Sequence, residues 1–186
     1  MSVGRVTASV LAVFAGWGAA TAGEPPEGWV LGGSHQSHYA VGATETRVHE
    51  GSMAAFLQAV VEQPEGFGAL TSSVDAEAFR GGRIRLVAFL RPEAVEGWAG
   101  LYVSVHGLDP ARPPLSFENT HDRPVTGTGE WSRQSITLPV PTGSARIAFG
   151  ALLHGRGTIY LDSVVVERLS SEASEGEAKA RFGFEP

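Results

Sequence analysis

An all-β fold, a two-sheet antiparallel jelly-roll β-sandwich, is predicted by three features of the sequence. Apolar residues recur with period two in short runs; clusters of glycine and proline separate the runs; and no segment between them carries a helix-length apolar stripe. A strand of that pattern has one apolar face to cover, and a second sheet of the same kind covers it.

Taken in order, residues 1–22 read as an export signal. Arg5 supplies the positive start, Val6 to Ala20 is apolar and nearly uncharged, and Ala20-Thr21-Ala22 offers small residues for cleavage before Gly23. The apolar run is broken by Gly16 and Gly18 and falls short of the ~20 residues that span a bilayer. The expectation is therefore an exported chain, periplasmic or extracellular, with no membrane span once the signal is removed. Residues 23–28 are a linker containing Pro and Glu, residues 29–169 the sandwich, and residues 170–186 a polar, flexible tail rich in Ser, Glu and Ala.

Within the sandwich, strands are expected at Met53 to Val61, Phe67 to Val74, Ile84 to Arg91, Leu101 to His106, Leu115 to Glu118, Trp131 to Val140, Ala145 to His154 and Thr158 to Arg168. In the third of these Ile84, Leu86, Ala88 and Leu90 share a face. In the fourth, Leu101, Val103 and Val105 point one way and Tyr102, Ser104 and His106 the other. Turns fall at Pro64 to Gly66, Arg80 to Gly82, Gly107 to Pro114, Gly127 to Gly129, Pro141 to Gly143 and Gly155 to Gly157. Asp75 to Phe79 is long enough for a single helical turn.

Composition removes several classes of function. Fourteen Lys+Arg against twenty Asp+Glu give a net charge of −6, so the broad basic surface that nucleic acid requires is missing. Without a single Cys there is no disulfide framework, thiolate nucleophile or Cys-ligated metal. The sole lysine, Lys179, lies near the C-terminus, which leaves no phosphate-cradling or Schiff-base lysine.

The residues that invite a ligand run from Trp98 to Arg123. Alternation puts Trp98, Tyr102 and His106 on the face opposite the apolar one, and the chain continues through Asn119 to Asp122 and Arg123. A sugar has apolar C–H patches that stack on aromatic rings and hydroxyls that need polar partners, so this mixture suits a glycan or a similar polar ligand. The same residues also serve a purely structural purpose if Trp98 plugs one end of the sandwich and Asp122 and Arg123 pair to pin a loop.

Other candidates carry less. His35 and His38 stand three apart, as zinc ligands do on a helix, but in a glycine-flanked segment with no third ligand nearby. No G-x-S-x-G elbow is present. Glu93, Glu96, Glu118 and Asp122 are the acids closest to the aromatic middle, where a glycosidase would need a pair. Trp131, at a strand start, is expected as a lid on the core. Arg85 and Arg91 are expected as solvated cations paired to the many acids. Asp162 alternates with Tyr160 and Val164 on an apolar face and needs an arginine, backbone N–H groups or a cation.

The order of these pieces resembles that of bacterial carbohydrate-binding-module and galactose-binding-like jelly rolls. Glu50-Gly-Ser-Met-Ala-Ala-Phe-Leu57 is similar to their opening strand and Gly157-Thr-Ile-Tyr-Leu-Asp-Ser-Val-Val-Val166 to their closing one. More narrowly, Glu96 to Val103, Phe117 to Asn119, Asp122 to Pro124, Gly127-Thr128, Trp131 and Ile147 to Leu153 resemble a jelly-roll domain of uncharacterised exported bacterial proteins, which elsewhere accompanies esterase, peptidase or regulator domains. The resemblance implies the jelly-roll fold, no cofactor for catalysis, and a structural Ca2+ near the closing strand. There the chain has Asp162-Ser163 where the family often has two consecutive acids.

These readings converge on a non-catalytic exported module that binds a glycan or other polar ligand through Trp98, Tyr102, His106, Asn119, Asp122 and Arg123. A protein–protein scaffold for an envelope partner is the alternative, and a small hydrolase is a third.

Overall fold

A computed structural model describes residues 23–169 and 179–184. The expected export signal and residues 170–178 lie outside the described residues. Among the described residues ten strands form: β1 (Val30–Gly33), β2 (Tyr39–Thr44), β3 (Ala54–Ala59), β4 (Phe67–Asp75), β5 (Gly82–His106), β6 (Ser116–Asn119), β7 (Val125–Gly127), β8 (Ser132–Val140), β9 (Arg146–Leu169) and β10 (Lys179–Phe182). Every pairing among them is antiparallel.

Two layers face each other, and β5 and β9 belong to both. In the first layer the order is β1, β4, the N-terminal half of β9, the C-terminal half of β5, and then β6. In the second it is β2, β3, the C-terminal half of β9, the N-terminal half of β5, and β8. Between the layers lie Leu70, Leu101, Val103, Ile147, Phe149 and Leu153 from one side and Leu57, Ile84, Leu86, Leu90, Ile136 and Leu161 from the other, each 2% exposed or less. The jelly-roll sandwich expected from the alternation is the fold observed.

The two long strands correct the expected turn at Gly155 to Gly157, which is a bend inside a continuous strand. Pairing runs on from Glu96↔Arg156 to Gly97↔Gly155 and Trp98↔His154. Gly97 and Gly155 take φ of +115° and +86°, and a Cβ on either would strike the backbone carbonyl of His154 or Glu96 across the ladder. Glycine is required there because two backbones cross in contact, with positive φ on both. The short helical turn expected after Asp75 is present at Glu77–Phe79. Four strands, β1, β2, β7 and β10, escaped the periodicity; three have only three or four residues.

The tail expected to be flexible is also corrected in part. Lys179–Phe182 pairs with Val164 to Glu167 of β9, and Phe184 is 3% exposed. Its ring lies 5.3 Å from that of Trp29, and Phe182 approaches Trp29 and Phe149 edge-on or tilted. Two phenylalanines spaced by two close the open end of the core, which gives the segment a reason to order.

Asp162 departs from simple alternation. Val87 pairs with Val165 and Phe89 with Asp162, so β9 carries an extra residue between them. Ser163, at φ 52°, is the bulge. Val164 is thereby turned into the core at 1% exposure instead of sharing the face of Asp162.

Candidate functional site

The outer face of the first layer is built row by row from cross-strand neighbours. Phe67, His154 and Trp98 form one row; Ala69, Leu152 and Gly100 the next; then Thr71, Gly150, Tyr102 and Asn119; then Ser73, Ala148, Ser104 and Phe117; and last Asp75, Arg146 and His106. Side chains two apart on a strand share a face, so the register alone gives an apolar end, a polar end and a floor of Ala and Gly.

A groove of about 400 Å³ runs over this floor, lined by Ser34, Phe67, Ala69, Thr71, Tyr102, Phe117 and Leu152. That volume lies in the range of roughly 300–1,000 Å³ typical of small-ligand sites. Phe67 and Phe117 keep 38% and 53% of their surface exposed, Phe67 on a strand whose other face is buried and Phe117 on the edge strand β6. At the middle the Tyr102 hydroxyl and the Thr71 hydroxyl share a 2.6 Å hydrogen bond. Burial is the main cause that raises the pKa of Tyr102, so its phenol stays neutral and able to donate.

Of the residues singled out from the sequence, Tyr102 lines the groove, with Asn119 beside it in register and His106 at the polar end. Ser104 Oγ lies 2.7 Å from His106 Nε2. Burial, and then the charge of Arg146, lower the pKa of His106, which keeps the ring neutral. Asn119 Oδ1 accepts the His121 N–H at 3.0 Å and so closes the turn that follows β6.

The remaining three are drawn elsewhere. Thr120, fully buried, sits over Gly100, where an added Cβ would collide with its hydroxyl; that hydroxyl accepts the Leu101 N–H at 2.9 Å. Trp98 stands in the row of His154 and Phe67 but is not among the residues that line the groove, and His121 covers it edge-to-face at 4.8 Å. Asp122 pairs with Arg123 at 2.7 Å, and Arg123 Nη2 donates to the Ser135 carbonyl at 2.7 Å. Asp122 and Arg123 therefore tie the loop between β6 and β7 to β8 and lie off the groove. Phe67, Thr71 and Leu152 are groove residues outside the stretch from Trp98 to Arg123 that invited a ligand, whereas Phe117 lies within it. Phe67, Ala69 and Thr71 alternate against the buried Leu70, which is the signal that was there to find.

The other candidates resolve into structure. The segment of His35 and His38 makes one 3-10 turn, not a longer helix. His38 Nδ1 accepts the Glu65 N–H at 3.0 Å, and His35 Nε2 lies 3.5 Å from the Glu65 carboxylate. Trp131 lies outside the second layer and does not lid the core. It meets His49 at 5.6 Å, and His49 stacks on Phe89 at 3.7 Å. Arg85 pairs with Glu167 and Arg91 with Glu130, as solvated cations do. Glu93 is held by Arg47 and Tyr160, while Glu96 lies 4.0 Å from Arg156 at the bend. His106 has a serine but no hydrogen-bonded carboxylate among the described residues, so the orienting acid of a serine-hydrolase triad is not in place.

The calcium implied by the family resemblance does not fit Asp162. Its Oδ2 accepts the N–H of His49 at 2.8 Å and of Glu50 at 3.1 Å, and its Oδ1 accepts that of Ser163 at 2.5 Å. Those N–H dipoles already stabilise the buried carboxylate, and they point positive charge where a cation would stand. No group of three His, Asp or Glu able to hold a metal occurs among the described residues.

No family model matches the chain. It is 35% identical over 144 residues to the Bacillus subtilis protein named uncharacterized HTH-type transcriptional regulator YbfP, an alignment covering 77% of this chain and 48% of the relative. The chain thus spans about half the length of that relative. Among solved structures, the enzymatically active domain of tailspike protein 4 of bacteriophage CBA120 aligns at a TM-score of 0.60 and 12% identity, over 77% of this chain and 20% of that one. The CBM22-1 xylan-binding domain of Paenibacillus barcinonensis Xyn10C aligns at 0.55 and 13% identity, over 81% of this chain and 91% of that one. The fold is that of carbohydrate-binding modules.

Proposed function

We propose that the protein is a non-catalytic ligand-binding module that takes a glycan in the groove on the outer face of its first layer. The observation that carries this reading is the pair of exposed rings, Phe67 and Phe117, standing over a floor of small residues beside the hydroxyls of Thr71 and Tyr102. Leaving two phenylalanines in water costs free energy unless a ligand covers them, and the alternation of apolar C–H faces and hydroxyls on a sugar matches rings flanked by hydroxyls. The xylan-binding domain that shares the fold supports it. The regulator relative supports a sensing use of the same sandwich. The described residues contain no helix longer than one turn.

The test is affinity electrophoresis and calorimetry of the purified protein against a panel of plant and cell-wall polysaccharides. Retardation by one of them, abolished by Phe67→Ala or Tyr102→Ala in protein that still melts cooperatively, is the expected result. No binding across the panel, with an envelope protein captured instead, would favour the scaffold reading. Export belongs to the proposal and rests on the residue pattern of Met1 to Ala22; a secreted form whose mass places its first residue at Gly23 is the expected outcome.

A further inference from the structure

At the polar end of the same sheet face, beyond the residues that line the groove, stands a cation without an ion pair among the described residues. Arg146 opens β9, is exposed, and lies between Asp75 of β4 and His106 of β5 in the register of the sheet. The acid opposite it is engaged elsewhere: Asp75 Oδ1 accepts the Glu77 N–H at 2.6 Å and caps the short turn. Arg85, Arg91, Arg123 and Arg156 each have a carboxylate, whereas Arg146 has no ion pair among the described residues. Its charge nevertheless reaches into the site, since it acts on both Tyr102 and His106.

On the premise that the groove binds a glycan, we infer that its ligand is acidic, a saccharide whose carboxylate docks on Arg146 while a neighbouring ring lies against Phe117 and Tyr102. The spacing allows it. Tyr102 pairs with Gly150, four residues from Arg146 along β9, which is about 13 Å of strand. The arginine side chain shortens that gap, so one or two sugar residues bridge it. A planar guanidinium binds a carboxylate through two parallel hydrogen bonds, which a neutral sugar hydroxyl cannot match. Ser73, exposed on β4, and the Ser104–His106 pair supply neutral donors and acceptors beside Arg146, while the Asp75 carboxylate stands opposite it in register with one oxygen engaged by the Glu77 N–H. In a chain of net charge −6 the overall field repels an acidic polymer, so attraction to this face needs a local cation, and Arg146 supplies one there.

The experiment compares uronic-acid polysaccharides (polygalacturonate, alginate, hyaluronate and glucuronoxylan) with the same polymers after reduction of their carboxyl groups, and with neutral xylan and galactan. The wild-type protein is expected to bind at least one acidic polymer about tenfold or more tightly than its reduced form. Arg146→Gln is expected to erase that difference, and Arg146→Lys to restore part of it. Binding to neutral polymers alone, or acidic binding unchanged in Arg146→Gln, overturns the inference and leaves the glycan reading standing. Absence of binding to any polymer in either form overturns both.

Discussion

Truncating Phe117 separates binding from folding. The residue stands on the edge strand β6 with 53% of its surface exposed. An aromatic side chain presents roughly 200 Å², so about half of that, ~100 Å², is still in water. A saccharide stacking on one side of the ring covers about half of the remainder, which at ~25 cal/mol/Å² contributes about 1.2 kcal/mol. Stacking geometry adds about 0.5–1.5 kcal/mol. Phe117→Ala is therefore expected to weaken binding by about 2 kcal/mol, roughly 30-fold, while lowering stability by no more than about 1 kcal/mol. Phe149→Ala is the matched control. That ring is 0% exposed and its loss is expected to remove about 3–5 kcal/mol of stability through the cavity left behind. Calorimetric titration and urea denaturation of both variants measure the two quantities. Undiminished affinity in Phe117→Ala would refute the assignment of the groove, and a stability loss comparable to that of Phe149→Ala would show that the ring is part of the core.

Three further outcomes follow from the packing. The hydrogen bond from Arg85 lowers the pKa of Glu167 below its ordinary 4.5, so the stabilisation is present above 4.5 and is lost as pH falls through the folded value. Glu167→Gln should cost stability at pH 7 and much less at pH 3, as urea denaturation at both pH values would show. Gly97→Ala forces a Cβ against the His154 carbonyl at a positive φ and should lower stability by more than about 1–3 kcal/mol, measured by thermal melting. Asp162→Ala strips three backbone N–H groups of their acceptor and should cost about 2–4 kcal/mol. The melting temperature of the wild type should meanwhile be indifferent to EDTA, and a clear drop on chelation would show that a cation does sit there.

Local pattern alone determined much about this protein. Ile84, Leu86, Ala88 and Leu90 alternate with Arg85, Val87 and Phe89, and Leu101, Val103 and Val105 with Tyr102, Ser104 and His106. A pleated strand must send those two sets to opposite sides, so the sandwich and the outward aim of Tyr102 could be read without coordinates. Which outward residues meet was decided by the pairing of strands far apart in the chain. Thr71 reaches Tyr102, and Phe67 and Phe117 come to flank one groove, only because β4, β9, β5 and β6 lie side by side in a particular register. The tertiary structure also tied Arg123, with Asp122 paired to it, to the Ser135 carbonyl, set Thr120 over Gly100, and packed Phe182 and Phe184 against Trp29. Alternation is a property of two adjacent peptide units, whereas proximity across a sheet depends on the whole chain closing around its core, and no short stretch of residues encodes that.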